Sequence, residues 1–269
     1  MSSATKTLKL LEFFSPGRPT IGLSQFCKLA KRDKATTYRH LQALEEAGFV
    51  EQNETTKQYR LGPALLQLAH MRELTVPRKV SSQAALSSLS NVTGETAHVT
   101  VLSGNKVYPL LDCESPKHST RAIIDLSLFP LHATASGLCA LAFGPENLMD
   151  FAVDRMEAFT PTTVVSIDDL RRSVAKVRET GFANSNRGYE HDIQGVSCPI
   201  FDSTAKYAGA VSVACVASRF TPELEHLVKQ QLIIASREIT HNWGGLMPAD
   251  IEKLWTKSMS QPPVLEAAK

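Results

Sequence analysis

The stretch Leu23–Gly62, "LSQFCKLAKRDKATTYRHLQALEEAGFVEQNETTKQYRLG", changes its hydrophobic period once, and that change limits what the chain can fold into. Leu23, Phe26, Cys27 and Ala30 recur at helical spacing. After the three-residue turn "KRD" a second helix carries Ala35, Tyr38, Leu41 and Leu44, and Gly48 supplies the left-handed residue that ends it. The period then drops to two. "FVEQ" and "QYRL" flank the polar "NETTK", which predicts a β-hairpin. An earlier helix is expected over Lys6–Phe14, where Leu8, Leu11 and Phe14 share a stripe before "SPGRP" breaks it. Helices followed by a hairpin in this order describe a winged helix-turn-helix.

If Ala35, Tyr38, Leu41 and Leu44 face the core, then Lys34, Thr36, Thr37, Arg39 and His40 fall on the opposite side or its flanks. These are donor-rich side chains suited to phosphate oxygens and base edges, and they sit where a helix N-terminus also attracts phosphate. Lys57, near the hairpin tip, is placed to touch the sugar-phosphate backbone. Residues 1–60 hold ten Lys/Arg against six Asp/Glu, so positive charge concentrates in this segment although the whole chain carries only +2. Phosphate neutralisation depends on such local charge. A solvated face on an interaction helix is the competing reading; the hairpin directly afterwards favours DNA.

The remainder alternates helix and strand. "LGPALLQLAHMREL" is an amphipathic connector that Pro77 ends or bends. "SSQAALSSLSNVTGE" is a small-residue helix, "TAHVTVLSGNKVYPLLDC" a hairpin turning at Ser103–Lys106, and "FPLHATASGLCALAFG" a loop running into a helix. Ser166 and Asp169 form a capping box for a helix closing at Gly181. "SCPIFDSTAKYAGAVSVACVA" is a β-branched hairpin, and Thr221-Pro222 opens a long helix to about Trp243. The expected organisation is a DNA-binding domain at 1–61, a linker helix at 62–76, an α/β domain at 77–246 and a tail at 247–269. A short helix is expected around Ile251–Trp255, with "SMSQPPVLEAAK" disordered.

A length of 269 residues with 43% hydrophobic content suits two globular domains. The N-terminus lacks a signal-peptide pattern and no apolar run approaches the ~18 residues of a membrane span, so a cytoplasmic protein is expected. Five scattered cysteines without CxxC spacing read as reduced thiols.

The Leu23–Gly62 segment resembles the DNA-binding part of the IclR family of bacterial transcriptional regulators, at Leu23, Ser24, Thr36, Tyr38, Arg39 and Tyr59–Gly62. Arg32 and Asp33 depart from the family's apolar and proline positions, so the turn is expected to pack differently. The resemblance runs on to about Gly245 through "TGETAHVTVLSGNKVYPL", "PLHATASG" and "CPIFDSTAKYAGAVSVACVASRF". It implies an α+β chain: a winged helix-turn-helix, a linker helix and a GAF-like α/β effector-binding domain. It also implies a homodimer or dimer of dimers that binds double-stranded operator DNA and a small-molecule effector, with no cofactor. The implied function is ligand-responsive regulation of a catabolic pathway through a small organic or aromatic acid.

In "HATASG" the residue chemistry agrees: a helix starting near Thr134 offers unpaired amides, and Ala135, Ser136 and Gly137 are small enough for a carboxylate to approach. Close helix-sheet packing explains the small residues equally well. Carried over from relatives that sense carboxylic acids, the rest of the pocket falls at Ser185, Ile193, Gly195, Ser212 and Ala214, facing Arg121 and Phe129. The family often has aspartate, cysteine and serine at the positions of Ser185, Gly195 and Ala214, which implies a roomier and less polar pocket here. Arg121 is a candidate bidentate partner for a carboxylate if it points inward, an exposed arginine being the commoner case. His132 with Cys139 or Cys113 as a thiol-histidine pair, and His98, His118, His132 and His191 with Asp112 or Asp192 as metal ligands, lack diagnostic spacing. Neither a catalytic residue nor a metal is therefore expected.

Overall fold

The computed structural model describes residues 2–124 and 129–260, which divide into two compact units, the first ending at Pro77 and the second starting at Arg78. In the first, α1 (Ser3–Leu8) continues as a 3-10 turn over Lys9–Phe13, so the single helix expected from Lys6 to Phe14 is split. Then come β1 (Ile21–Gly22), α2 (Leu23–Ala30), α3 (Lys34–Glu46), β2 (Val50–Gln52), β3 (Gln58–Leu61) and α4 (Ala64–Thr75). The wing hairpin gains a third strand, β1, which pairs Ile21 with Tyr59 to give the order β1-β3-β2. Its core gathers Leu10, Ile21, Phe26, Leu41, Leu44, Val50 and Tyr59.

The unusual turn has a local cause. Lys31 takes the left-handed conformation that ends α2 (φ +51°), and the Asp33 carboxylate accepts the Thr36 amide at 2.8 Å, capping α3. That amide bond also holds the Asp33 carboxyl below its usual pKa. An N-cap aspartate thus fixes the start of α3, and Arg32 donates to the Lys6 carbonyl, tying the turn to α1. Past the wing, Gly62 runs so close to Gly48 that a Cβ there would sit 2.2 Å from the Gly48 carbonyl oxygen.

The second unit starts with α5 (Arg78–Thr93), the hairpin β4 (Thr96–Ser103) and β5 (Lys106–Cys113), then α6 (Ala135–Phe143) and α7 (Leu148–Val153). It continues with α8 (Ile167–Thr180), β6 (Ala183–Asn186), β7 (Ile193–Phe201), β8 (Tyr207–Val216), α9 (Pro222–Asn242) and α10 (Ala249–Met259). The five strands form an antiparallel sheet in the order β5-β4-β8-β7-β6. Strand alternation assigns its faces. Ala97, Val99, Val196, Cys198, Ile200, Val211 and Val213 join the cluster that contains α5, α9 and α10. Their neighbours Thr96, His98, Gly195, Ser197, Ser212 and Ala214 therefore face α6, which packs on β7 and β8 with α8 beside it. That face is paved with small side chains, so α6, itself "ASGLCALAF", can lie close to the sheet.

The helix expected around Ile251–Trp255 is present and longer, and it corrects the reading of this segment as a tail. Residues 247–260 are not a tail: α10 buries Ile251 and Trp255, and the Trp255 indole donates to the Gly181 carbonyl at 3.0 Å. Ser258 donates to the Thr180 carbonyl at 2.8 Å. The remainder of the segment expected to be disordered, residues 261–269, lies outside the described residues.

Candidate functional site

The N-terminal face is built on α3. Its buried residues are Thr37, Leu41 and Leu44, while Ala35 and Tyr38 are exposed. Leu41 and Leu44 are buried as expected, but in the first two turns Thr37 completes the buried stripe in place of Ala35 and Tyr38, so Thr37 is corrected from a DNA-facing position to a core one. Its burial is tolerated because Oγ1 donates to the Asp33 carbonyl at 2.8 Å, leaving no unsatisfied hydroxyl. Lys34 and Arg39 are exposed and Thr36 is half-buried, all in the first two turns. Tyr38 joins them outside, bonded at its hydroxyl by Gln42. His40 is also turned away from the expected role: its Nδ1 lies 2.6 Å from Thr7 Oγ1, linking α3 to α1. Burial, then Arg32, Arg39 and Lys6, hold its pKa below the ordinary value, which favours a neutral ring. Lys57 is exposed at the wing with φ +56°, in a turn where Asn53 Oδ1 accepts the amides of Thr55 and Thr56.

In the second unit, strand register brings distant residues into rows. Thr96, Ala214, Gly195 and Ser185 are successive partners across β4, β8, β7 and β6; one step along, His98, Ser212 and Ser197 are partners. Above these rows stands the N-terminus of α6. Thr134 caps it, accepting the Gly137 amide at 3.0 Å and donating to the Pro130 carbonyl at 2.9 Å. The amides of Ala135 and Ser136, at the first turn, have no intrahelical acceptor. Between helix and sheet lies a cavity of about 70 Å³. Of the residues proposed from the sequence for the effector site, Phe129, Ala135, Ser136, Ser185, Ile193, Gly195 and Ala214 line it; so do His98, Ile123, Ile124, Thr134, Tyr189 and Glu190.

Two expectations about this cavity change, and one open alternative is decided. Arg121 does not line it: its guanidinium pairs with Glu114 and reaches the Ser119 carbonyl, so local partners use its donors. Ser212 lies behind the wall, 2.8 Å from Ser136 Oγ. Gly137 is small for packing and not for a ligand, because a Cβ there would sit 2.5 Å from the Pro130 carbonyl oxygen. His98, absent from the expected set, was legible in principle: in "TAHVTVL" it alternates with Ala97 and Val99 and so faces the other side of the strand.

The arrangement differs from a nucleophilic centre. His98 Nε2 lies 3.2 Å from Ser136 Oγ, yet among the described residues no carboxylate or other group partners Nδ1, so the histidine has no orienting third group of a triad there. Burial raises the Cys139 thiol above the usual range, and His132 is engaged with the Glu157 backbone, not with a thiol. Among the described residues no group of three or more His, Cys, Asp or Glu is placed to hold a metal ion.

Comparison with known proteins gives this geometry its context. Residues 77–241 match the family model "Bacterial transcriptional regulator IclR C-terminal", and residues 3–54 match "IclR helix-turn-helix domain". The chain belongs to the IclR family. The HTH-type transcriptional regulator XynR of Escherichia coli is 25% identical over 221 residues, covering 81% of this chain and 88% of XynR. A crystal structure of a putative IclR regulator from Silicibacter sp. TM1040 superposes with TM-score 0.87 at 37% identity, covering 93% of this chain and 99% of that one. An IclR homologue from Microbacterium hydrocarbonoxydans, solved in complex with 4-hydroxybenzoate, shares the fold at TM-score 0.71 and 19% identity, covering 89% and 100%. IclR proteins are DNA-binding transcriptional regulators, and the α2–α3 pair with its wing is the helix-turn-helix domain of this one. No helix among the described residues is long and apolar enough to cross a membrane.

Proposed function

We propose that this IclR-family chain is a cytoplasmic regulator of a catabolic operon, switched by a small organic acid bound between α6 and the sheet. The observation that carries this reading is the cavity beneath the α6 N-terminus, where two first-turn amides meet a wall of small side chains. Such a helix start favours an anionic group without any cationic side chain. A volume of about 70 Å³ suits an acyclic acid of a few carbons; an aromatic acid requires the walls to yield, since benzene occupies cavities of roughly 150 Å³. That the Microbacterium homologue was solved with 4-hydroxybenzoate supports a small-molecule-binding reading of this chain.

Lys34, Thr36 and Arg39, with Tyr38 beside them, are proposed to meet operator DNA in the major groove, and Lys57 to touch phosphate through the wing. The protein acts as a homodimer or a pair of dimers. Leu66, Leu68, Met71 and Leu74 of α4 are more than half exposed, and a second copy of the same helix would cover them. Effector binding then alters the spacing of the paired DNA-binding units, changing affinity for two half-sites without a contact to DNA.

A thermal-shift screen of carboxylates tests the effector reading, because a ligand of the folded state raises the melting temperature with RT ln(1 + [L]/Kd). A stabilising acid that also changes the operator gel shift supports it. Acids that stabilise but leave DNA binding untouched, or a screen without any hit, count against it.

A further inference from the structure

Among the described residues one side-chain polar atom lining the cavity is left unsatisfied: His98 Nδ1 is buried without a hydrogen-bond partner. The ring is 7% exposed, lines the cavity and meets the Phe129 ring edge to face at 5.3 Å. A buried acceptor or donor without a partner is costly enough to call for an explanation. Here the other ring nitrogen supplies it.

His98 Nε2 begins a chain of hydroxyls. It lies 3.2 Å from Ser136 Oγ, which is 2.8 Å from Ser212 Oγ, which is 2.5 Å from Ser197 Oγ. Ser197 in turn donates to the Val211 carbonyl at 3.3 Å. A carbonyl only accepts, and each serine has one proton to give. With the Ser197 proton on Val211, Ser212 donates to Ser197, Ser136 donates to Ser212, and the Nε2 proton of His98 completes the series. The imidazole is then the Nε2–H tautomer, and Nδ1 carries only a lone pair. Burial lowers the ring's pKa to about 4, so it stays neutral at pH 7. The cross-strand row of His98, Ser212 and Ser197 holds three of the four groups in place.

We propose that His98 Nδ1 is the specificity-determining acceptor of the effector cavity, selecting acids that carry a hydroxyl or N–H donor over analogues without one. This rests on the reading that the cavity binds a small organic acid: the α6 amides take its carboxylate, and His98 takes its donor. An analogue that lacks the donor fills the same space but leaves Nδ1 unpaired in a now drier site. The expected discrimination is about tenfold to a hundredfold in Kd.

The test uses the full-length protein. Two-bond ¹H–¹⁵N correlation of the histidine rings at pH 7, with His98 assigned by substitution, is expected to show the neutral Nε2–H tautomer. Calorimetric titration then compares lactate with propionate, and 4-hydroxybenzoate with 4-methoxybenzoate. In the wild type the hydroxylated member of a pair binds at least tenfold tighter, and His98→Leu erases the preference. His98→Asn, which keeps an acceptor near the Nδ1 position, retains part of it and serves if the leucine variant fails to fold. An Nδ1–H tautomer, or equal affinities within pairs that bind, overturns the assignment while the acid reading survives. If neither pair binds, the donor-selection proposal falls, while the acid reading is decided by the wider carboxylate screen.

Discussion

The phase of α3 makes a quantitative prediction about salt. Lys34 and Arg39 are exposed, whereas Thr37 is fully buried with its hydroxyl bonded to the Asp33 carbonyl. Each lysine or arginine on a phosphate contributes about 0.9 to the slope of log K against log salt, so losing one contact changes how affinity falls between 50 and 200 mM by about 3.5-fold. Lys34→Ala is expected to lower the slope by about 0.9 per DNA-binding unit, and twice that in a dimer engaging two half-sites. Arg39→Ala does the same if it meets phosphate; if it reads a base, it instead weakens the specific site by about 1–3 kcal/mol and spares non-specific DNA. Thr37→Val removes one hydrogen bond, costs about 0.5–1.5 kcal/mol of stability in the N-terminal unit, and leaves the slope unchanged. Fluorescence anisotropy on an operator fragment across a salt series, with urea melts of the same variants, measures all three. A normal slope for both Lys34→Ala and Arg39→Ala, together with a reduced one for Thr37→Val, would refute this helix phase.

Three further outcomes are expected. Trp255→Ala should destabilise the C-terminal unit by about 3–5 kcal/mol, which for a unit of this size is a fall of roughly 6–20 °C in Tm by calorimetry at fixed protein concentration; a change under about 2 °C would mean α10 is not part of the core. Gly137→Ala places a Cβ against the Pro130 and Leu131 backbone, so circular dichroism melts should show a loss of about 1–3 kcal/mol, with effector response weakened as the α6 N-terminus shifts. His98 titrates at about 4 when folded against 6.5 in an unfolded chain, so the unfolded chain binds the proton first as pH falls. The stabilisation is complete above pH 6.5 and declines by about 3 kcal/mol toward pH 4, and the pH dependence of urea unfolding should flatten by that amount in His98→Asn.

Element order was readable because it depends on local periods. α2 matched its expected bounds, and α3 began where the capping of Asp33 starts it. The β4–β5 turn, the Ser166 cap and the Thr221-Pro222 helix start also stood at their expected places, since each rests on residues within a few positions of one another. β1 escaped notice because two residues carry no period, and they become a strand only when β3 pairs with them.

The helix phase and the site chemistry needed the tertiary structure. A hydrophobic stripe on α3 can be drawn through Ala35 and Tyr38 or through Thr37, and apolarity favours tyrosine. Packing chose threonine, because its hydroxyl finds the Asp33 carbonyl within the helix and tyrosine's needs room outside. In the cavity, sequence distance concealed the partners: His98, Ser136, Ser197 and Ser212 are scattered over more than a hundred positions and meet only through sheet register and the docking of α6. The sequence alone determined that each of these strands has a small-residue face, since alternation is local. Which residues share a row on that face, and that Arg121 turns to Glu114 and not to the cavity, were decided by non-local pairing that no local period encodes.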